Sequence, residues 1–215
     1  MQSEATRFPE RLVDGYRSFC SGRLPTEQGR LRALAEGGQA PEIMVIGCSD
    51  SRVPPEVIFD ARPGELFVVR NVANLVPPYS PDGATRAVSA ALEFAVQALR
   101  VKHIVVMGHA RCGGIRAFAE HGAPLSAGDF IGRWMALIEP AARALGPRGA
   151  EEDTARYLAR LERGSLLRML DNLLTFPWIR AQVERGALRL HAAYFEVATG
   201  RLEIGDPSDG SFAPL

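Results

Sequence analysis

Short apolar runs bounded by polar, Gly and Pro residues mark out the strands of this chain. Ile43-Met44-Val45-Ile46 is continuous rather than alternating, which predicts a strand over Ile43–Gly47 buried on both faces, as in a parallel sheet. Leu66-Phe67-Val68-Val69 and the segment His103–Gly108 read as two more strands. Leu188–Val197 and Leu202–Ile204 read as a pair joined by Thr199-Gly200, a hairpin signal. Helical spacing fills the intervals. Val88, Ala91, Leu92, Ala95, Val96 and Leu99 recur at three- and four-residue steps, which predicts a helix over 84–100. Gly113-Gly114 opens another. Residues 129–145 and 154–181 are mostly helical, with breaks at Gly146-Pro147 and Pro177 and a further boundary at Gly164. Glu56–Phe59 suits one short helical turn. Upstream, Phe8, Leu12, Tyr16 and Phe19 predict an amphipathic helix over 8–20, either folded onto its own core or laid over a second subunit. The polar, Gly-rich stretch from Arg23 to Gly38 suggests loop with a short helix.

The order strand, strand, helix, strand, helices, hairpin predicts an α/β fold. The expected architecture is a mostly parallel central β-sheet with an antiparallel edge strand, flanked by helices and preceded by an N-terminal helical arm. At 215 residues a single domain is expected, residues 1–25 forming the arm.

Composition removes several classes of function. Lys plus Arg and Asp plus Glu both number 25, so the formal net charge is zero and there is no electrostatic ground for nucleic acid or an anionic membrane as partner. No segment approaches the ~18 uninterrupted apolar residues of a membrane span. Residues 1–10 carry no apolar stretch of the secretory kind, and three cysteines make no disulfide framework. Free or metal-bound thiols in the cytoplasm are the expectation.

The chemistry gathers where two strands end. The first runs into Cys48-Ser49-Asp50-Ser51-Arg52-Val53-Pro54, and the strand at Ile104 runs into Gly108-His109-Ala110-Arg111-Cys112-Gly113-Gly114. In open α/β sheets ligands bind beyond the carboxyl ends of strands. Two thiolates, Cys48 and Cys112, with one imidazole, His109, make a known catalytic zinc shell with a fourth position left for water. On spacing alone the cysteines read equally well as buried small hydrophobes.

These two motifs resemble those of the β-class carbonic anhydrases. The likeness extends through Pro63-Gly64-Glu65-Leu66-Phe67-Val68-Val69-Arg70-Asn71-Val72-Ala73-Asn74 and returns at Asn172-Leu173, Pro177 and Gly186-Ala187-Leu188-Arg189-Leu190-His191. It implies reversible hydration of carbon dioxide to bicarbonate and a proton, with zinc held by Cys48, His109 and Cys112. It also implies that Asp50, oriented by Arg52, accepts the proton of the zinc-bound hydroxide. Two thiolates cancel the formal charge of the metal, so activity should rise on the alkaline side of neutral. Gln39 and Phe67 match residues that line the substrate pocket in the plant-like subgroup, with Val72 and the Gly113 N–H beside them. Phe94 stands where that subgroup often has Tyr, and Ala192 where Gly usually follows the His. In some bacterial members Trp, Arg and Tyr build a non-catalytic bicarbonate site that stabilises a closed state, in which the Asp binds zinc. Here the matching residues are Val45, Arg70 and Phe195, which favours an open site at neutral pH. The likeness further implies a homodimer or higher homo-oligomer, with Gln39 and Phe67 reaching the zinc site of the partner. His103 and His121 have the chemistry of proton shuttles, but no motif places them. A related hydrolase of carbonyl sulfide or carbon disulfide, or a zinc protein without turnover, would share the metal residues. A thiol redox protein is disfavoured by the lack of Cys-x-x-Cys.

Overall fold

A computed structural model describes residues 8–84, 86–120 and 122–215. By its internal contacts the chain divides into two units, Met1–Gln39 and Ala40–Leu215. The first contains two helices, α1 (Glu10–Ser21) and α2 (Leu24–Gly37). Phe8, Leu12 and Tyr16, the apolar stripe of the arm, are 67%, 54% and 67% exposed. The second helix is longer than the loop and short helix expected. Pro25 pre-sets its first turn, Arg23 bonds Glu27 at 2.9 Å, and Leu31, Arg32, Ala33, Leu34 and Ala35 are strong helix formers. Together they outweigh Gly29, and the helix stops at Gly38, whose φ is 79°.

The second unit is built on one sheet of six strands. They are β1 (Ile43–Cys48), β2 (Leu66–Asn71), β3 (His103–His109), β4 (Arg189–Phe195), β5 (Leu202–Gly205) and β6 (Phe212–Pro214), in the spatial order β2-β1-β3-β4-β5-β6. The first four are mutually parallel, and β5 and β6 are antiparallel additions at one edge. The final strand was not expected. It is three residues long, too short for a periodic signal, and its Pro214 suits an edge.

Helices α3 (Pro55–Ile58), α4 (Ala87–Glu93), α5 (Gly113–Ala119), α6 (Phe130–Met135), α7 (Glu139–Leu145), α8 (Thr154–Leu174) and α9 (Pro177–Glu184) complete the unit. The expected helix over 84–100 begins at Ala87 and passes from α4 into a π-helical turn at Phe94–Ala98, in which Leu99 N–H donates to Phe94 O at 3.0 Å. The boundary expected at Gly164 is absent: α8 runs 21 residues straight through it. A Cβ there would meet nothing within 4 Å, so Gly164 lies on an open flank. Leu166, Met169 and Leu173 are fully buried on the opposite flank and hold the helix together.

The main core lies on one face of the sheet, where Met44, Ile46, Ile104, Val106, Ala192 and Tyr194 meet the helices. Residues alternate along a strand, so Val45, Met107 and Ala193 point the other way. They form a small cluster bordered by the partly buried Ile43, Leu66, Val68, Val105, Leu202 and Ile204. Helix α8 packs against β3 and β4 at close range. A Cβ on Gly108 would stand 3.1 Å from Leu166 Cδ2, so any larger residue there would press on α8 one residue before His109.

Candidate metal centre

Strands β1 and β3 are parallel neighbours, with Gly47 opposite Met107. Their last residues, Cys48 and His109, therefore emerge side by side at the carboxyl edge. The chain reverses after His109 through Arg111, which adopts the left-handed φ of 58°, and Cys112 becomes the residue that starts α5. The three side chains are 4%, 1% and 2% exposed, and their ligand atoms all lie within 4.8 Å of one another.

The protonation states bear on what this trio can hold. Cys112, His109 and the Asp50 and Ala73 N–H groups hold the Cys48 thiol down at about 4, against burial. Cys48 and burial together push Cys112 strongly upward. Two buried thiols this close oppose each other's ionisation, and a cation beside them would favour both thiolates. His109 Nδ1 donates to Ala110 O at 3.0 Å, while buried Nε2 has no hydrogen-bond partner. A buried orphan nitrogen beside two sulfurs fits a thiolate-loving divalent metal.

Next to the trio, Asp50 and Arg52 form a forked pair. Arg52 Nε donates to Asp50 Oδ1 at 2.8 Å and Nη2 donates to Oδ2 at 2.6 Å, while the Arg52 N–H adds a third bond at 3.0 Å. These contacts hold the carboxyl well below the usual carboxylate range. Asp50 Oδ2 stands 3.9 Å from His109 Nε2. Arg52 Nη2 also donates to Arg111 O at 3.2 Å, bridging the two loops.

Arg70 has a role the sequence did not suggest. Its Nε donates to Cys48 O at 2.8 Å and its Nη2 to Asp50 O at 2.7 Å, clamping the metal loop onto β2. Glu162 was also missed. Only 4% exposed, it accepts the Cys112 N–H at 2.9 Å and the Tyr194 O–H at 2.7 Å. Burial pushes Glu162 up, opposed by these two donors. The missed signal was a carboxylate in the apolar stripe of α8, in helical register with Leu158, Leu166 and Met169.

The structure brings Cys48, His109, Cys112, Asp50 and Arg52 together. Gly113 follows Cys112 directly. Val72 precedes Ala73, whose N–H donates to Cys48 Sγ at 3.4 Å, and its own carbonyl accepts from Trp134 Nε1 at 2.8 Å. A Cβ on Gly114 would meet Val72 Cγ1 at 2.9 Å, so α5 packs tightly behind Val72. Phe67 is the second residue of β2, opposite Met44 and four residues short of the strand end beside Cys48, and its ring lies tilted against Phe94 with centroids 5.9 Å apart. Gln39 is exposed at the end of the first unit. His103 sits at the far end of β3, hydrogen-bonded to His191 at 3.0 Å. At ~3.3 Å per residue that is ~20 Å from His109, out of reach for direct proton transfer. His121 lies outside the described residues. A cavity of about 800 Å³ bounded by Phe118, Ile131, Met135, Ala142 and Tyr157 contains none of the site residues.

A family model described as carbonic anhydrase matches residues 43–202. A carbonic anhydrase of Pseudomonas aeruginosa is 37% identical over 204 residues, covering 95% of this chain and 90% of the relative. The structure of the β-carbonic anhydrase CcaA matches with a TM-score of 0.88 and 29% identity, over 96% of this chain and 91% of that one. Tetrameric β-carbonic anhydrases from the filamentous ascomycete Sordaria macrospora match at a TM-score of 0.77 and 30% identity, over 90% and 94% of the two chains.

Proposed function

Because the chain belongs to the β-class carbonic anhydrases, we propose that it converts carbon dioxide and water reversibly into bicarbonate and a proton at a site where Cys48, His109 and Cys112 hold zinc. The observation that carries this reading is the unpartnered, buried His109 Nε2 beside the two sulfurs. Zinc, when bound, supplies Lewis acidity that lowers the pKa of a coordinated water.

The chain's own residues do the rest. Arg52 keeps Asp50 ionised, so the carboxylate can only accept hydrogen bonds. Asp50 Oδ2 is the atom that accepts from the reacting oxygen and turns its lone pair toward carbon dioxide. Both carboxylate oxygens are engaged by Arg52, an arrangement that supports an open site rather than one closed by Asp50. Arg70 is committed to backbone carbonyls, which adds to the case against a regulatory bicarbonate site at Val45, Arg70 and Phe195. Val72 and Phe67 bound a small apolar pocket for carbon dioxide. The Gly113 N–H and the Gln39 amide donate to the oxygens of bicarbonate.

The working form is a homodimer or higher homo-oligomer in which Gln39 and Phe67 serve the partner's site. The exposed stripe of Phe8, Leu12 and Tyr16 supports an arm that grips a neighbour. The partly buried residues around Val45 and Met107 support coverage of that sheet face by another subunit. The free thiols of the site suit the reducing cytoplasm.

Carbon dioxide hydration by the zinc-loaded protein tests the proposal, with Cys48→Ser and Asp50→Asn as controls. Turnover in the wild type, lost in Cys48→Ser and strongly reduced in Asp50→Asn, is expected. A fully loaded wild type without turnover would overturn the proposal; turnover of carbonyl sulfide alone would replace it with the related hydrolase.

A further inference from the structure

Cys112 differs from the other two residues of the trio in how it is held. Cys48 and His109 end strands of the sheet, whereas Cys112 lies beyond β3, after the left-handed Arg111 and ahead of α5. The position of its sulfur is set by the backbone at Cys112 itself. That backbone has a long-range anchor: the N–H donates to Glu162 Oε1 at 2.9 Å. The other carboxylate oxygen accepts from Tyr194 O–H at 2.7 Å. Glu162 and Tyr194 are 4% and 1% exposed. Behind them the Arg163 guanidinium lies 3.8 Å over the Tyr194 ring and donates to Glu203 at 2.7 Å. A carboxylate on the buried face of a helix is costly unless its lone pairs are satisfied. Here both oxygens are, and one of them is satisfied by a metal-ligand residue.

We propose that Glu162 is a positioning residue for the metal. It ties the Cys112 N–H to α8 and, through Tyr194, to β4, and so fixes where Cys112 Sγ stands relative to Cys48 Sγ and His109 Nε2. The inference rests on the reading of this trio as a metal centre. Outer partners of metal ligands typically change affinity about 10–100-fold when removed, and that is the scale expected here.

Geometry and charge can be separated. In Glu162→Gln the amide oxygen still accepts from Cys112 N–H, and the amide nitrogen donates to Tyr194 Oη, whose hydroxyl can rotate to accept. Glu162→Leu removes the acceptor and leaves both donors orphaned. The experiment measures cobalt and zinc affinity of the full-length protein by chelator competition, together with the sulfur-to-cobalt charge-transfer band and a thermal melt. Glu162→Gln should bind close to wild type with an unchanged band. Glu162→Leu should bind about 10–100-fold more weakly with a shifted band, and Tyr194→Phe should fall between them. If Glu162→Leu does not fold, the Tyr194→Phe variant decides. Wild-type affinity and spectrum in the deciding variant overturn the inference alone, as does a Gln variant as impaired as the Leu variant. A wild type that binds no cobalt overturns this inference and the metal-centre reading together.

Discussion

Replacing Arg70 tests whether the metal loop is held from β2. The guanidinium spans two backbone carbonyls, at 2.8 Å to Cys48 and 2.7 Å to Asp50, one on a proposed metal ligand and one on the residue proposed to carry the catalytic carboxylate. Hydrogen bonds from a charged donor contribute roughly 1.5–3 kcal/mol each. Arg70 is exposed, so each belongs near the lower end, about 3 kcal/mol for the two. Lysine is a point donor and cannot span both carbonyls, so Arg70→Lys should lose about half of this and Arg70→Met nearly all. Loss of anchoring that reaches Asp50 in full would lower kcat/KM about tenfold in the first variant and about a hundredfold in the second, at roughly 1.4 kcal/mol per decade. Stopped-flow carbon dioxide hydration at saturating zinc, with a thermal melt of each variant, reads both effects. Wild-type kcat/KM and melting temperature in Arg70→Met would refute the clamp. A graded fall from Arg to Lys to Met would also separate this role from a bicarbonate sensor, since losing a sensor that favours a closed state would raise activity.

Asp50 lies below the usual carboxylate range and stays ionised through neutrality, so it contributes no limb to the pH–rate profile there. With two thiolates neutralising the metal, hydration should rise on the alkaline side of neutral, and a rate flat with pH below neutrality would contradict the two-thiolate shell. Glu203 offers a separate pH test: burial works to raise it, but Arg163 and Arg201 outweigh burial and hold it down. A depressed carboxylate stabilises the fold above its unfolded value of roughly 4.3 and loses that contribution as pH falls through its lower folded value. Glu203→Gln should therefore cost about 2 kcal/mol in denaturant titration at neutral pH, and progressively less below pH ~4. Gly108→Val should cost at least about 1–3 kcal/mol, because even its Cβ meets Leu166 at 3.1 Å; an unchanged melting temperature would show that α8 can move away from β3.

The strands were legible because the centre of β1 is buried on both faces, which leaves Met44-Val45-Ile46 without a polar residue. Their parallel order followed from the helices between them. Less legible were features decided by balance rather than pattern. One glycine does not break α2 or α8 when strong helix formers or a buried flank surround it, and nothing local marks the π turn after Glu93. Within the site, Cys48, Asp50, Arg52, His109 and Cys112 sit in two compact motifs at strand ends, where ligands are sought. Arg70 and Glu162 act on those motifs from 22 and 50 residues away, and their partners exist only once β2 and α8 are docked. Glu162 still left a trace, as a charge out of place on an apolar stripe.

The parallel register of β1 and β3 would give a metal bound at the proposed trio a task beyond chemistry. Side chains alternate between faces, so a slip of one residue would turn Cys48 to the opposite face and move it ~3.3 Å along the strand. A misregistered chain could then offer at most part of the trio. An ion that needs all three residues binds only chains whose strands are aligned Ile43 to His103, and mass action draws the population toward them. A metal held by the proposed trio would thus proofread the sheet: its occupancy would certify that two segments more than fifty residues apart have paired in the right frame.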